Sequence, residues 1–276
     1  MSPLWRDEVG AYLSPHRLCL VHMPRGARSR PVTEHEQHFE SVKDNAWEAP
    51  LAALAAMLGE APWRAARIRV VLADHWARYI IVPWVGALWS DEERQAHARE
   101  LLSSAFGEGI ADWDLRIADA PPGVPRVACA MPRELISGVV AACTAHGGRL
   151  LSLQPQLIDA YAAWRQSLPQ SQAWFVTIEQ GSLAAARLSG SGWDRVHSLR
   201  LGGDWVRELR RLQTFGRLAS SRPEEGRVYV DAPHSWRERA VGLVQGADLN
   251  DLQWLEEPNT PVSTLARLGR ARRLAA

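Results

Sequence analysis

The sequence predicts an α/β protein made of two similar halves, each with a mixed sheet flanked by helices. Short β-branched apolar runs alternate with helical segments along most of the chain. Three such runs follow one another within residues 172–201, separated by Gln-Gly-Ser and Ser-Gly-Ser-Gly, which are typical of hairpin turns. The order strands, helix, strand, helix also occurs in both halves. Together these features favour the duplication of one α/β unit.

In the first half, apolar runs between turn residues predict the strands, and capping signals predict the helices. Ser90 with Glu93 three residues later forms a capping box, so a long helix is expected to begin there. The predicted strands cover 9–13, 17–23, a segment near 30–33, 67–73, 78–82, 112–117, 126–130 and 149–153. The predicted helices cover 47–59, 90–106, 132–146 and 155–167.

In the second half, the three consecutive strands are followed by a helix, a strand and a second helix. These elements are predicted at 173–178, 183–188, 193–201, 204–218, 227–230 and 235–243. Pro169 marks the best boundary, so we expect a first lobe at 1–168 and a second at 169–257. An irregular basic tail, 258–276, carries four arginines and no acid from Thr264 onward. We expect it either to face a membrane or a partner protein or to be a frayed, solvated chain end.

The composition narrows the class of protein. The chain has 276 residues, of which 46% are hydrophobic and 23% charged, as in ordinary globular proteins. A formal net charge of +1 gives no basis for binding nucleic acid. The one lysine, Lys43, follows no glycine, which excludes a Gly-Lys-Ser/Thr phosphate loop. The three cysteines lie in apolar runs and predict buried free thiols in a reducing compartment.

The sequence also gives an expectation about location. The first ten residues lack the apolar run of a signal peptide. Nowhere does the chain approach the roughly 20 consecutive apolar residues that a membrane helix needs. We therefore expect a cytoplasmic protein.

Two local clusters of polar residues have both a chemical and a simpler interpretation. Asp74, His75 and Arg78 could support acid–base chemistry, but no nucleophile accompanies them, and a turn joining two strands is favoured. His35 and His38, flanked by glutamates, have the spacing of metal ligands on a helix. They lie in a polar segment, however, and a solvated charged stretch is favoured there.

A set of core phrases resembles a known family. The phrases are YLSPHRLCLVHMPRG, RVVLADHWARYIIVPW, SDEERQAHARELLSSAFG, RVACAMPRELI, RLLSLQPQLIDAY and WFVTIEQGSLAAARLSGSGW. In this order and spacing they resemble the cytoplasmic actin-like domain of the type II secretion L protein, the type IV pilus assembly M protein and the mannose-sensitive haemagglutinin pilus biogenesis protein. The resemblance covers about residues 5–244. It implies a two-lobed actin-like fold of the ribonuclease H-like kind.

The same resemblance directs attention to the nucleotide motifs of actin-like ATPases. The first hairpin there carries Asp-x-Gly, whereas this chain has Tyr12-Leu13-Ser14. The second lobe offers half a match in Glu179, Gln180, Gly181 and Ser182, which we predict to be a vestigial phosphate loop. The adenosine motif is replaced by Asp-Ala-Pro-His at 231–234, without glycine. We therefore expect no catalytic residue, no metal ligand, no bound cofactor and no enzymatic activity.

The resemblance implies a cytoplasmic adaptor of a bacterial pilus or type II secretion platform. Its expected partners are inner-membrane platform proteins and the secretion ATPase, with peripheral association at the inner face of the cytoplasmic membrane and no nucleic acid. Unlike the membrane-anchored relatives, the sequence shows no transmembrane helix after the domain. The alternative is an actin-like ATPase that still binds Mg·ATP through Glu179 and the Gly181–Ser182 turn.

Overall fold

The computed structural model describes residues 7–24, 33–40, 46–64, 66–86, 90–169, 172–190, 192–201, 205–218, 227–233 and 252–255. The strands of the first half are β1 (Glu8–Ser14), β2 (Arg17–Met23), β3 (Thr33–His38), β4 (Arg67–Leu72), β5 (Arg78–Val82), β6 (Trp113–Ile117), β7 (Arg126–Pro132) and β8 (Arg149–Pro155). Those of the second half are β9 (Ala173–Glu179), β10 (Ser182–Ser189), β11 (Gly192–Arg200), β12 (Val228–Asp231) and β13 (Leu252–Trp254). The helices are α1 (Glu48–Leu58), α2 (Asp91–Phe106), α3 (Arg133–Ala145), α4 (Gln156–Trp164) and α5 (Trp205–Leu218).

Two five-stranded sheets share one plan. The first has the order β3-β2-β1-β4-β8 and the second the order β11-β10-β9-β12-β13. In each, three antiparallel strands form a meander, and two further strands run parallel to the first strand of that meander. The predicted duplication of a mixed sheet is therefore confirmed.

A third sheet is small and antiparallel, with the order β5-β7-β6. The helix α2 packs on it, and the capping box of Ser90 and Glu93 is formed as predicted. The shared core consists of Ile80, Val82, Ala98, Leu102, Ile110, Leu115, Ala128 and Ala130. The sequence predicts these strands but not that they leave the first sheet and form one of their own.

The described residues separate into two compact units. The first unit holds those between 7 and 76 and those of 134–163, including the first five-stranded sheet. The second unit holds those of 77–133 and those between 164 and 255. This grouping differs from the predicted lobes because β11 lies beside β5, which joins 77–133 to the second sheet. The lobe boundary at 168 stays a prediction, and the tail 258–276 lies outside the described residues.

The polar strand β3 shows where the sequence pattern is weakest. It covers 33–38, whereas a strand is predicted near 30–33, because an exposed edge strand lacks an alternating apolar pattern. In a strand, successive side chains point to opposite faces, so His35 and His38 lie on opposite sides of the sheet. The interpretation of His35 and His38 as metal ligands, which assumed a helix, is therefore wrong. The short strand β13 was not predicted either, because no helix or strand was expected between 244 and 257.

The predicted helices of the first half agree with those of the structure. Each of α1 to α4 begins and ends within a few residues of its predicted bounds. Gly138 lets α3 approach α1, since a Cβ there would overlap the side chain of Leu51. The predicted helix at 235–243 lies outside the described residues. None of the described helices has the length and apolar character needed to cross a membrane.

Candidate functional site

The four predicted loop residues form one tight hairpin between β9 and β10. Glu179 ends β9, Ser182 begins β10, and the two face each other across the turn of Gln180 and Gly181. Gly181 has φ 85°, a conformation that a residue with a side chain rarely adopts. Two-residue hairpin turns require such backbone angles, which explains the glycine.

The hairpin holds a buried side-chain hydrogen bond. Ser182 Oγ donates to Glu179 Oε1 at 2.5 Å, and the two residues are only 4% and 6% exposed. Hydrogen bonding is what makes the burial of such polar groups tolerable. The hydroxyl that the sequence offered as a phosphate or metal contact is thus engaged with the neighbouring acid.

Strand pairing brings further polar residues to the same face of this sheet. Ser182 is opposite both Glu179 and Arg200, so these three form a cross-strand row. In the adjacent row Thr177 is opposite Asp231 of β12. Thr177 and Asp231 are fully buried, whereas Arg200 is exposed. We call Thr177, Glu179, Ser182, Arg200 and Asp231 the β9 polar cluster.

The β9 polar cluster lies where mixed sheets commonly place their ligands. Because β9 and β12 are parallel, the carboxyl ends that carry Glu179 and Asp231 meet at one edge of the sheet. Carboxylate and hydroxyl oxygens suit Mg²⁺, but an arginine shares the row. Throughout the described part of the chain, no three side chains of His, Cys, Asp or Glu gather as a metal site would require.

Sequence reasoning found only part of this cluster. Glu179 and Ser182 are identified by turn chemistry, which is local. In the sequence, Asp231 stands out only because no glycine follows it, and no motif contains Arg200. Both join the cluster through strand register, which links distant parts of the chain, so no local motif marks them.

The equivalent hairpin of the first sheet, between β1 and β2, has a different chemistry. Ser14 is in the position of Glu179, and its Oγ donates to Arg17 O at 3.2 Å and accepts from His16 N at 3.3 Å. The guanidinium of Arg17 lies 5.3 Å from the ring centre of Tyr12 and bonds Glu36 at 3.2 Å. The polar side chains of this hairpin thus stabilise the turn itself.

The cluster of Asp74, His75 and Arg78 is a turn, as favoured from the sequence. Residues Asp74–Trp76 form one 3₁₀ turn between β4 and β5. The buried Asp74 Oδ1 accepts a hydrogen bond from Leu157 N at 3.1 Å and so caps the start of α4. Arg78 instead stacks on aromatic rings. Asp74 therefore has a structural role at this turn, as the cap of a helix.

Comparison with known proteins gives similarity in structure only. No family model matches the chain, and no curated protein matches its sequence. A chain of the PilM–PilN type IV pilus biogenesis complex is similar, with 16% identity, TM-score 0.65 and coverage of 99% of both chains. The cytoplasmic domain of EpsL, an inner-membrane component of the type II secretion system of Vibrio cholerae, matches with 10% identity and TM-score 0.56, covering 98% of this chain and 95% of that one.

A third similar structure is a Bacteroides thetaiotaomicron protein with an actin-like ATPase fold and unknown function. It has 10% identity and TM-score 0.64, with coverage of 99% of this chain and 96% of that one. At such low identities the likeness establishes the fold, which is actin-like, as the core phrases predicted. Both pilus and secretion proteins of the kind that those phrases resemble are among the structures that share it.

Proposed function

We propose that this actin-like protein is an adaptor of a bacterial type IV pilus or type II secretion assembly platform, and that it does not hydrolyse ATP. The observation that carries the proposal is the likeness along nearly the whole chain to a chain of the PilM–PilN complex and to the EpsL domain. The same fold serves many functions, so the site must support the proposal as well.

The two hairpins support a role without catalysis. Nucleotide hydrolysis on this fold needs carboxylates that hold Mg²⁺ and backbone amides that approach the phosphates. The first hairpin has Ser14, whose hydroxyl bonds the turn, and the second has Glu179 bonded to Ser182. The vestigial phosphate loop at 179–182 is therefore proposed as a structural hairpin with no bound cofactor.

The proposed partners are proteins of the inner-membrane platform, together with the secretion ATPase. One similar structure is a complex of PilM with PilN, and the other comes from an inner-membrane component. The protein would then act in the cytoplasm at the inner face of the membrane. The basic tail 258–276, outside the described residues, would add weak salt-sensitive attachment, because each arginine near an anionic surface contributes about 1 kcal/mol.

A deletion and a capture experiment test the adaptor role together. The gene is deleted in its own host, and surface pili and secreted proteins are measured with and without a plasmid copy. In parallel the tagged full chain is purified under mild detergent and its partners are identified. We expect loss of pili or of secretion and recovery of inner-membrane platform proteins. Normal assembly with no platform protein recovered would contradict the proposal.

The alternative, an ATPase that still binds Mg·ATP, is favoured by one observation. Glu179 and Asp231 lie at one sheet edge beside the positive φ of Gly181. Calorimetry with Mg·ATP distinguishes the two functions, with Glu179→Gln as the test variant and Gln180→Ala, in the same turn, as its control. The adaptor proposal expects no binding at micromolar strength. Micromolar binding that Glu179→Gln removes and Gln180→Ala keeps would replace it with the ATPase.

A further inference from the structure

Arg78, at the start of β5, lies against two aromatic side chains. Its guanidinium carbon lies 5.5 Å from the ring centre of Trp113 and 6.0 Å from that of Phe106. Its Nη1 also donates to Ala77 O at 2.8 Å. Stacking on rings and a backbone bond remove most of the freedom that an arginine normally has at a surface. The guanidinium is thus preorganised before any partner arrives.

A second arginine belongs to the same region. Arg200 ends β11, which lies beside β5, and it is exposed. Burial, together with the charge of Arg200, lowers the pKa of Arg78. Arg99 of α2 adds a third positive charge, since its Nη1 reaches Trp113 O at 3.5 Å. Three arginines thus lie in one region, and a region with one sign of charge favours a negatively charged ligand.

The aromatic part of this surface remains open. Phe106 is 38% exposed at the end of α2, and Trp113 is half-buried beneath the arginine. Arginine and large aromatic side chains are enriched in the residues that contribute most to protein interfaces. We call Arg78, Phe106, Trp113 and Arg200 the arginine–aromatic surface.

We infer that the arginine–aromatic surface docks an acidic segment of a partner protein. A carboxylate of the segment would bind the guanidinium groups of Arg78 and Arg200, since such planar forks pair well with carboxylates. An apolar side chain next to that carboxylate would cover Phe106. The inference goes beyond the adaptor role and does not require it, because it concerns the chemistry of the segment and not the system to which the segment belongs.

The surroundings favour a protein segment over nucleic acid. Glu108 and Asp112 are exposed near the aromatic residues, and Asp114 pairs with Arg116 at 3.3 Å. These acids repel a polyanion that extends past Phe106 and Trp113, and they repel a short segment with one or two carboxylates less. The overall formal charge of +1 also gives no support for binding to nucleic acid.

The test uses the full chain and a displayed library of random dodecapeptides. Enriched peptides are synthesised with a fluorescent label, and their dissociation constants are measured by anisotropy. We expect enrichment of Asp or Glu next to an aromatic or leucine residue. Arg200→Gln and Phe106→Ser should each weaken binding by about tenfold, in the range typical of interface anchors. Arg165→Gln, which changes an exposed arginine of the same unit, should have no effect.

Arg78→Gln is measured as well, with its melting temperature, because Arg78 is partly buried and its loss could also loosen β5. Arg200 is exposed, so Arg200→Gln keeps the test valid if that variant unfolds. Three results would overturn the inference: no enriched peptide, enriched peptides without acids, or binding that neither Arg200→Gln nor Phe106→Ser changes. Tighter binding of a twelve-nucleotide oligothymidine with the same dependence on Arg200 would overturn it too.

Discussion

The two hairpins at the ends of the five-stranded sheets have the same backbone design and opposite side-chain chemistry. In each, the last residue of one strand faces the first residue of the next across a two-residue turn. Ser14 and Arg17 occupy these places in the first sheet, and Glu179 and Ser182 in the second. The first pair stabilises its own turn, whereas the second forms a buried bond between side chains.

The next row of each sheet extends the contrast. Tyr12 and its neighbour Val71 occupy this row in the first sheet, and Thr177 and Asp231 occupy it in the second. All four are buried, so one sheet fills the position with apolar bulk and the other with polar groups. Duplication of the fold therefore did not duplicate the chemistry of its edge. In this row the buried pair on the first and fourth strands is polar in the second sheet, as Thr177 and Asp231, and is Tyr12 and Val71 in the first.

We expect the largest difference in stability between variants of Tyr12 and variants of Thr177. Tyr12→Ala should reduce the free energy of unfolding by about 3 to 5 kcal/mol, as for other large buried aromatics, because it leaves a cavity. Thr177→Val keeps the shape and removes the hydroxyl that bonds Ala184 O, which should cost about 1 kcal/mol. Urea unfolding of both variants checks this. Equal losses would show that the two rows are energetically alike.

The second difference concerns the turns. Gly181 has φ 85°, so Gly181→Val should destabilise the protein by about 1 to 3 kcal/mol through backbone strain. Gly181→Asn should cost less, because asparagine adopts the left-handed region more readily. His16→Gly, at the equivalent position of the first hairpin, tests whether the stability of that turn also depends on glycine. Melting temperatures that fall equally for the valine and asparagine variants would rule out strain as the cause.

The third difference concerns the two serines. Ser182→Ala removes the 2.5 Å bond to the carboxyl group of Glu179 and should cost about 1 to 2 kcal/mol. Ser14→Ala removes longer bonds to backbone groups and should cost less, about 0.5 to 1 kcal/mol. Chemical denaturation measures both. A larger loss of stability for Ser14→Ala would contradict the greater contribution that we expect from the bond between Ser182 and Glu179.

The smallest effect is a pH dependence carried by His197 on β11. Partial desolvation of this exposed side chain, then the charges of Arg195 and Arg187, lower the pKa of its imidazole below the ordinary 6.5. The unfolded chain therefore binds this proton at higher pH than the folded chain, and stability should fall as pH decreases below about 6.5. His197→Phe should reduce that loss, and Arg195→Gln should reduce it in part. Unfolding curves at several pH values that coincide for all three proteins would contradict this.

The sequence predicted most of the fold because its signals are local. Apolar runs between turn residues, the capping box of Ser90 and the glycines of the turns each act within a few residues. The edge strand β3 and the short β13 were displaced or missed, since neither carries a clear apolar pattern. The third sheet was missed for another reason, because pairing partners are not encoded in the strand pattern itself.

The candidate site was predictable to the same extent. Glu179 and Ser182 are separated by one turn, so turn chemistry identifies them. Arg200 and Asp231 reach them only through pairing across β10 and β12, which requires the register. The arginine–aromatic surface was not predictable at all from spacing, since Arg78 and Phe106 belong to different elements of the chain.

The parallel pairing of β4 with β8 also sets an order of assembly during synthesis. Leu72 pairs with Pro155, and the chain between them makes the whole third sheet and two helices. At about 5 to 20 residues per second, a ribosome needs several seconds to supply this partner. During that time the edge of β4 has no neighbour on that side, while the strands of the third sheet are synthesised. The nascent chain should therefore depend most on chaperones in this interval, and a ribosome stall between the two strands should promote aggregation.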